Sequence, residues 1–461
     1  MSNEAKLVKG DIKKHLIEMT LPMIFGLLGV MLFNLTDTYF IGKLGAKQLA
    51  ALSFTFPVVM VIQSIAVGLG LGTAAISARL IGEKKKKDAA ILSTHSLMLG
   101  LSIVFVLLIL MFLNTTRIFT MLGAKGIVLD YVKEYMYVWY FGMFFVVIPM
   151  IGNSVLRSLG DAKTAGLIMV ASATINIILD PMLIFGIWIF PALGIRGGAL
   201  ATVFSRALSA FIIMYILAKK EKMIDFSEMH LKRILKSWGK ILYIGIPNAL
   251  INMVTPIGAG IVTRILSGYG ETVVAGFGVA SKVEMIAFAI TGALASVMGP
   301  FVGQNLGAKA FDRVNTSNRL SKIFSLSFGI IIAILLFILA KPIAGFFTES
   351  ESVARTTVVY LRIVPIAYGF QGILKIGATI LNVLNQPFRS SILTLSQTFI
   401  FYIPLALVLK KYFEIQGIFV SLGISYIATG IISHFFVKHR LIKAEKLLAE
   451  DKIALKNSKN Q

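Results

Sequence analysis

Two carboxylates occupy positions where carboxylates are costly. Asp37 lies late in an apolar run that begins near Leu16 and ends at Lys43, within Phe33-Asn34-Leu35-Thr36-Asp37-Thr38-Tyr39-Phe40-Ile41-Gly42. Asp180 lies in another such run, four residues after Asn176. An acid at the centre of a membrane helix costs roughly 2.5–3.5 kcal/mol on insertion scales, so those that persist face a protein interior or a water-filled path. The i, i+4 spacing puts Asn176 and Asp180 on one helical face, where the amide can hold the acid by a hydrogen bond. Thr36 adjoins Asp37, and Asn34 stands three residues before it on a nearby face. Packed side by side, the two runs place two carboxylates and several neutral oxygens in one pocket. Such a pocket either holds a proton or coordinates a hard cation such as sodium. The proton is the preferred expectation.

The elements that position these residues follow from composition. Hydrophobic residues are 57% of the 461-residue chain and charged residues 15%, far fewer charges than a soluble chain of this length carries. Apolar stretches long enough to cross a bilayer recur from end to end. Twelve are read, from about 16–42 and 49–78 to about 389–410 and 416–437. The expected fold is an all-α polytopic membrane protein with no sizeable soluble domain. The chain has no cysteine, which excludes disulfides, thiolate catalysis and Cys-based zinc sites. No cleaved signal peptide is seen before the first span.

The net charge of +23 invites a nucleic-acid reading, but its distribution argues against one. Lys84-Lys85-Lys86-Lys87 fills the second connection, seven cations fill the sixth, and Lys309, Arg313, Arg319 and Lys322 mark the eighth. Cations in alternate loops follow the positive-inside rule and place both termini in the cytoplasm, with the chain integral to the plasma membrane.

The chain also repeats itself. Leu21-Pro22 corresponds to Ile246-Pro247, Gly45 to Gly270, Ile81-Gly82 to Leu306-Gly307 and Tyr135 to Tyr360, all at an offset of about 225 residues. Two six-helix bundles are expected: an N-lobe over 1–218, a basic connection over 219–240, a C-lobe over 241–437, and a charged tail over 438–461 that forms a short surface helix with a disordered end. The acids escape the repeat, since Asp37 corresponds to Val262 and Asp180 to about Leu405. An acid present in one lobe only is better explained by function than by folding.

The stretch Asn34 to Gly45, followed by Leu49-Ala50-Ala51-Leu52, resembles the first span of the multidrug and toxic compound extrusion (MATE) family. The Gly-Asp-Ala stretch at 160–162 and the Gln304-Asn305-Leu306-Gly307-Ala308 segment fit the same resemblance, which covers essentially the whole chain. Asn176 and Asp180 resemble the span-five pair of the DinF-like branch. The resemblance implies export of organic, often cationic or amphipathic compounds against an inward proton or sodium gradient. It implies ion coupling through Asp37, Asp180, Asn176, Asn34 and Thr202, with any sodium held at Asp37 and Asp180. It also implies a bend at Pro22, although the alternative of a simple first-turn proline stays open. Phe33 stands where that branch often has tyrosine.

In the second lobe, Glu284 is either a coupling acid, as acids of the NorM-like branch would be, or a helix-end ion pair with Lys282. Lys375 occupies span ten, where that branch has an acid. Phe33, Met253, Met285 and Arg206 are placed in the substrate cavity by position. No cofactor beyond the coupling ion is expected, and the partners are organic substrates and membrane lipid, for a monomer. One alternative is a lipid-linked oligosaccharide flippase of the same superfamily, for which Arg206, Lys282 and Lys375 would serve a pyrophosphate. An intramembrane enzyme is disfavoured, because the five histidines fall in loops or near helix ends and no nucleophile with its base, or metal cluster, is seen in the spans.

Overall fold

Apolar runs in lipid have to satisfy their backbone groups internally, and helices do so within one segment. The computed structural model describes residues 5–458, and its regular elements in that range are helices joined by short turns and loops. The helices are α1 (Ile12–Leu44), α2 (Ala46–Gly82), α3 (Lys86–Met121), α4 (Gly126–Ser158), α5 (Ala162–Phe185), α6 (Ile195–Tyr215), α7 (Leu231–Ser267), α8 (Glu271–Gly307), α9 (Phe311–Phe347), α10 (Glu351–Ile363), α11 (Tyr368–Val383), α12 (Pro387–Ser396) and α13 (Ile403–Ser458). Among the described residues, eleven helical stretches are long and apolar enough to cross a membrane. The last, Pro387–Leu447, has 61 residues. At about 1.5 Å per residue this is far longer than a bilayer is thick. It is broken at Glu414, whose φ of 49° and ψ of −129° are non-helical. Helix α13 then continues past Lys438 to Ser458, where a shorter surface helix was expected; residues 459–461 of that expected disordered end lie outside the described residues.

The chain divides into two compact units. The first holds Glu18–Ala249, and the second holds Leu250 onward together with Leu7–Ile17. The division falls inside α7 and not within 219–240, because that connection is tied to the start of α3. Asp225 N–H donates to Thr94 Oγ1 (2.8 Å), the Trp238 indole donates to the His95 carbonyl (2.9 Å), and His95 Nδ1 lies 2.9 Å from Ser237 Oγ. In the second unit, the Gln304-Asn305 segment clamps the start of the chain. Leu7 N–H donates to Gln304 Oε1 (3.0 Å), and Arg313 donates to the Gly10 carbonyl (2.7 Å).

In the first unit α2 packs on α4, α4 on α6 and α5 on α6. In the second unit α8 packs on α10 and α11, and α11 on α13. Helix α1 starts at Ile12, so Pro22 lies in its interior and the first-turn reading is corrected. A proline there removes one backbone hydrogen bond. Helix α5 meets it with Gly166, where an added Cβ would lie 2.4 Å from the Pro22 carbonyl oxygen. Only glycine allows the two backbones this approach.

Candidate functional site

The Gly-Asp-Ala stretch sets the start of α5. Asp161 is the N-cap and accepts from Thr164 N–H (3.0 Å) and Thr164 Oγ1 (2.7 Å). From that start the helix carries Asn176 and Asp180 inward, and both are fully buried. With its orientation assigned by its neighbours, the Asn176 amide donates to Asp180 Oδ2 (3.1 Å) and accepts from Thr202 N–H (3.2 Å). Thr202 comes from α6, whose preceding turn carries Gly198. A Cβ at Gly198 would stand 3.0 Å from Ile41 and 3.4 Å from Asp37 Oδ1, so this glycine lets α6 close over Asp37. Asp37 is 8% exposed, and Asp180 stands in its electrostatic field. Among the described residues, neither Asp37 Oδ1 nor Asp180 Oδ1 has a hydrogen-bond partner.

The network thus brings together Asp37, Asn176, Asp180 and Thr202, as the sequence suggested. Two expected members lie elsewhere. The Thr36 hydroxyl donates to its own helix at Leu32 (2.9 Å), as β-hydroxyl side chains do when no better acceptor is near. Asn34, exposed, belongs to the cavity described next and not to the acid pair. One member was missed. Buried Tyr135 of α4 reaches Thr202 and lies in the field of both carboxylates. The signal available was its recurrence as Tyr360 in the repeat.

One helical turn from the acids, α1, α2, α4, α5 and α6 enclose a cavity of about 260 Å³. Phe33, Asn34, Gln63, Asn153, Arg157 and Arg206 supply its polar and aromatic lining, and apolar side chains such as Leu27, Met150 and Ile168 fill the rest. Each of three helices serves both places. Helix α1 gives Asn34 to the cavity and Asp37 to the network, α5 gives Ser172 and then Asn176, and α6 gives Arg206 and then Thr202. Phe33 and Arg206 were expected here; Gln63, Asn153 and Arg157 were not. Met285, 42% exposed on α8, and half-buried Met253 on α7 do not line this cavity.

The second unit handles its acid differently. Glu284 lies in the middle of α8, 9% exposed, while Lys282 is exposed, so the helix-end ion pair is corrected. Tyr360 Oη donates to Glu284 Oε2, and Tyr426 Oη donates to Oε1 at 2.6 Å. Lys375 adds its charge from α11, and its ammonium lies 4.2 Å from the Phe288 ring centroid. Phe277, Phe419 and Tyr368 pack around this group.

Comparison with known proteins identifies the family. The MatE family model matches residues 22–182 and again 247–408. A curated FAD transporter from Shewanella oneidensis is 34% identical over 439 residues, covering 95% of this chain and 97% of its own. A probable multidrug resistance protein NorM from Thermotoga maritima is 27% identical, covering 88% of this chain and 87% of its own. The solved structure of the Vibrio cholerae MATE transporter VcmN in the bent form superposes with a TM-score of 0.89 at 28% identity, covering 95% of this chain and 98% of that one. With the family model matched over most of the sequence and its relatives matched nearly end to end, the chain belongs to the MatE family of membrane transporters.

Proposed function

We propose that the chain is a secondary active antiporter, not an enzyme, that exports organic compounds in exchange for an inward cation bound at Asp37 and Asp180. Twelve crossings in two six-helix lobes form the scaffold, the twelfth arising from the break at Glu414. The observation that carries the reading is the pair of buried carboxylates with one oxygen each left without a partner. Two carboxylates crowded in a low-dielectric interior do not both stay ionised without a counter-charge, so the pair takes up a cation. The proton is preferred over sodium because two like-charged carboxylates crowded in an apolar interior readily share one. Both termini face the cytoplasm, and the monomer works in the plasma membrane with lipid as its surroundings.

Loading of the pair changes the shape of α1, and Pro22 is where the helix yields, since its lost hydrogen bond weakens the ladder there. The pattern of α1, α5 and α6 each serving acid pair and cavity supports this coupling. Cargo of the class carried by the Shewanella oneidensis relative, FAD, is a candidate for this chain. The DinF-like assignment rests on Asn176 and Asp180 standing beside Asp37.

Purified protein in proteoliposomes under separate proton and sodium gradients tests the reading. Efflux driven by one gradient, and abolished by Asp37→Asn, supports it. Efflux that ignores both gradients ends it. The flippase alternative keeps one observation in its favour, the two arginines of the cavity, and scrambling of a lipid-linked sugar in the same vesicles would decide for it.

A further inference from the structure

The cavity beside the acid pair is lined by two arginines and, among the described residues, by no acid. Neither arginine is ion-paired in the described residues. Arg157 donates to Ser154 Oγ one turn back on α4 (2.8 Å). The Arg206 guanidinium lies 5.5 Å from the Phe33 ring centroid, an arrangement that holds the cation in place and leaves its N–H edge free. A guanidinium is charged at any pH a cell reaches, and its planar fork matches phosphate and carboxylate oxygens two at a time. Two such groups facing one small cavity repel cations. Buried Asn153 adds a carbonyl oxygen without a donor, a ready acceptor for a ligand hydroxyl or ring N–H. Leu27, Met150, Ile168 and Phe33 supply apolar walls for a flat ring.

We propose that this cavity binds a soluble aromatic phosphate ester, its phosphate held by Arg157 and Arg206, its ring against the apolar wall around Phe33, and a donor on Asn153. The proposal rests on the export reading above and gives it a cargo of opposite charge to the cationic compounds that the family resemblance implies. A volume of about 260 Å³ suits a ring with a phosphate and does not suit a two-chain lipid.

The charge of the cargo constrains the mechanism. A cationic cargo exchanges with a coupling cation by competing for the same carboxylates. An anionic cargo and a coupling cation attract each other, so their exchange does not run on competition. It runs through shape, by way of the three helices that line both places. Neutralising Asp37 therefore leaves binding of the phosphate ester unchanged or tightened, and breaks only its link to the gradient.

The test is equilibrium binding to the full chain in phosphatidylcholine nanodiscs, with 1-naphthyl phosphate, 1-naphthol and ethidium as probes. 1-Naphthyl phosphate is expected to bind more tightly than the other two and to be displaced by inorganic pyrophosphate, an arm that needs no variant. Arg206→Gln and Arg157→Gln are each expected to weaken it by about tenfold or more, with 1-naphthol affected far less and Arg206→Lys intermediate. Asp37→Asn should bind it at least as tightly as the parent. Tighter binding of ethidium, failure of pyrophosphate to displace the probe, or indifference to both arginine variants would overturn the proposal. Displacement by phosphatidylglycerol added to the discs would also overturn it, in favour of a lipid headgroup. These readouts use no gradient, so loss of the antiport reading would appear separately, as gradient-independent efflux in vesicles.

Discussion

In the second unit Glu284 is met by two tyrosine hydroxyls and by the charge of Lys375; in the first, Asp37 and Asp180 are met chiefly by each other. Both groups lie in membrane helices among apolar neighbours, and both have a tyrosine from the same place in the repeat, Tyr135 in one and Tyr360 in the other. The difference is in what remains unsatisfied. Each oxygen of Glu284 has a phenolic donor, and the nearby ammonium compensates its charge. Each acid of the first unit keeps one oxygen without a partner. The Tyr368 and Tyr402 hydroxyls near Glu284 have no partner among the described residues, so the contrast lies in the carboxylates themselves: one with both oxygens paired stabilises one structure, and one with an oxygen left over is open to a further partner. By that criterion the first site is the one we propose for ion exchange, and the second ties α8, α10, α11 and α13 together.

The sharpest way to break this comparison is Asp37→Asn, for which gradient-driven efflux in proteoliposomes is expected to fall to background while the protein elutes as the parent does. Asp180→Asn should follow closely, and Asn176→Ala, which removes the donor to Asp180 Oδ2, should reduce efflux without abolishing it. Glu284→Gln should reverse the pattern. Efflux persists, and stability falls by about 1–3 kcal/mol because Lys375 loses its counter-charge, read as the thermal midpoint of the detergent-solubilised protein. A dead Glu284→Gln beside an active Asp37→Asn would move coupling to the second unit. Adding Lys375→Met to Glu284→Gln should restore part of the lost stability, since removing both charges is less harmful than stranding one. Gly198→Ala should cost about 1 kcal/mol or more as its Cβ presses on Ile41, and lower the efflux rate by displacing Asp37. The smallest effect is expected outside both sites. Asp161→Ala removes an N-cap worth about 1 kcal/mol, lowering the midpoint with little change in efflux per folded molecule.

Much of the first site was legible as sequence because its members are few, polar and set in apolar runs. Asn176 and Asp180 need only helical spacing to share a face. Glu284 was legible as a buried acid but not as a satisfied one. The cation nearest it in sequence is Lys282, two residues away, a spacing at which helix side chains diverge. Its actual partners come from 76 and 142 residues further along the chain. Arg157, Asn153 and Gln63 carry no local signal in the sequence that would place them with Arg206 around one cavity. Pro22 looked close to a helix start because hydropathy locates the apolar core of a helix and not its polar first turns.

The sequence by itself determined that the chain is a stack of membrane helices with a repeat, and that its first half carries acids the second does not. Those are properties of composition and spacing, set by the cost of charge and of unpaired backbone in lipid. Tertiary structure decided which acids are satisfied, which helices share them, and that two arginines face one cavity a turn away. Hydrogen bonding and charge compensation act over a few ångströms between helices distant in sequence, and only packing brings those helices together.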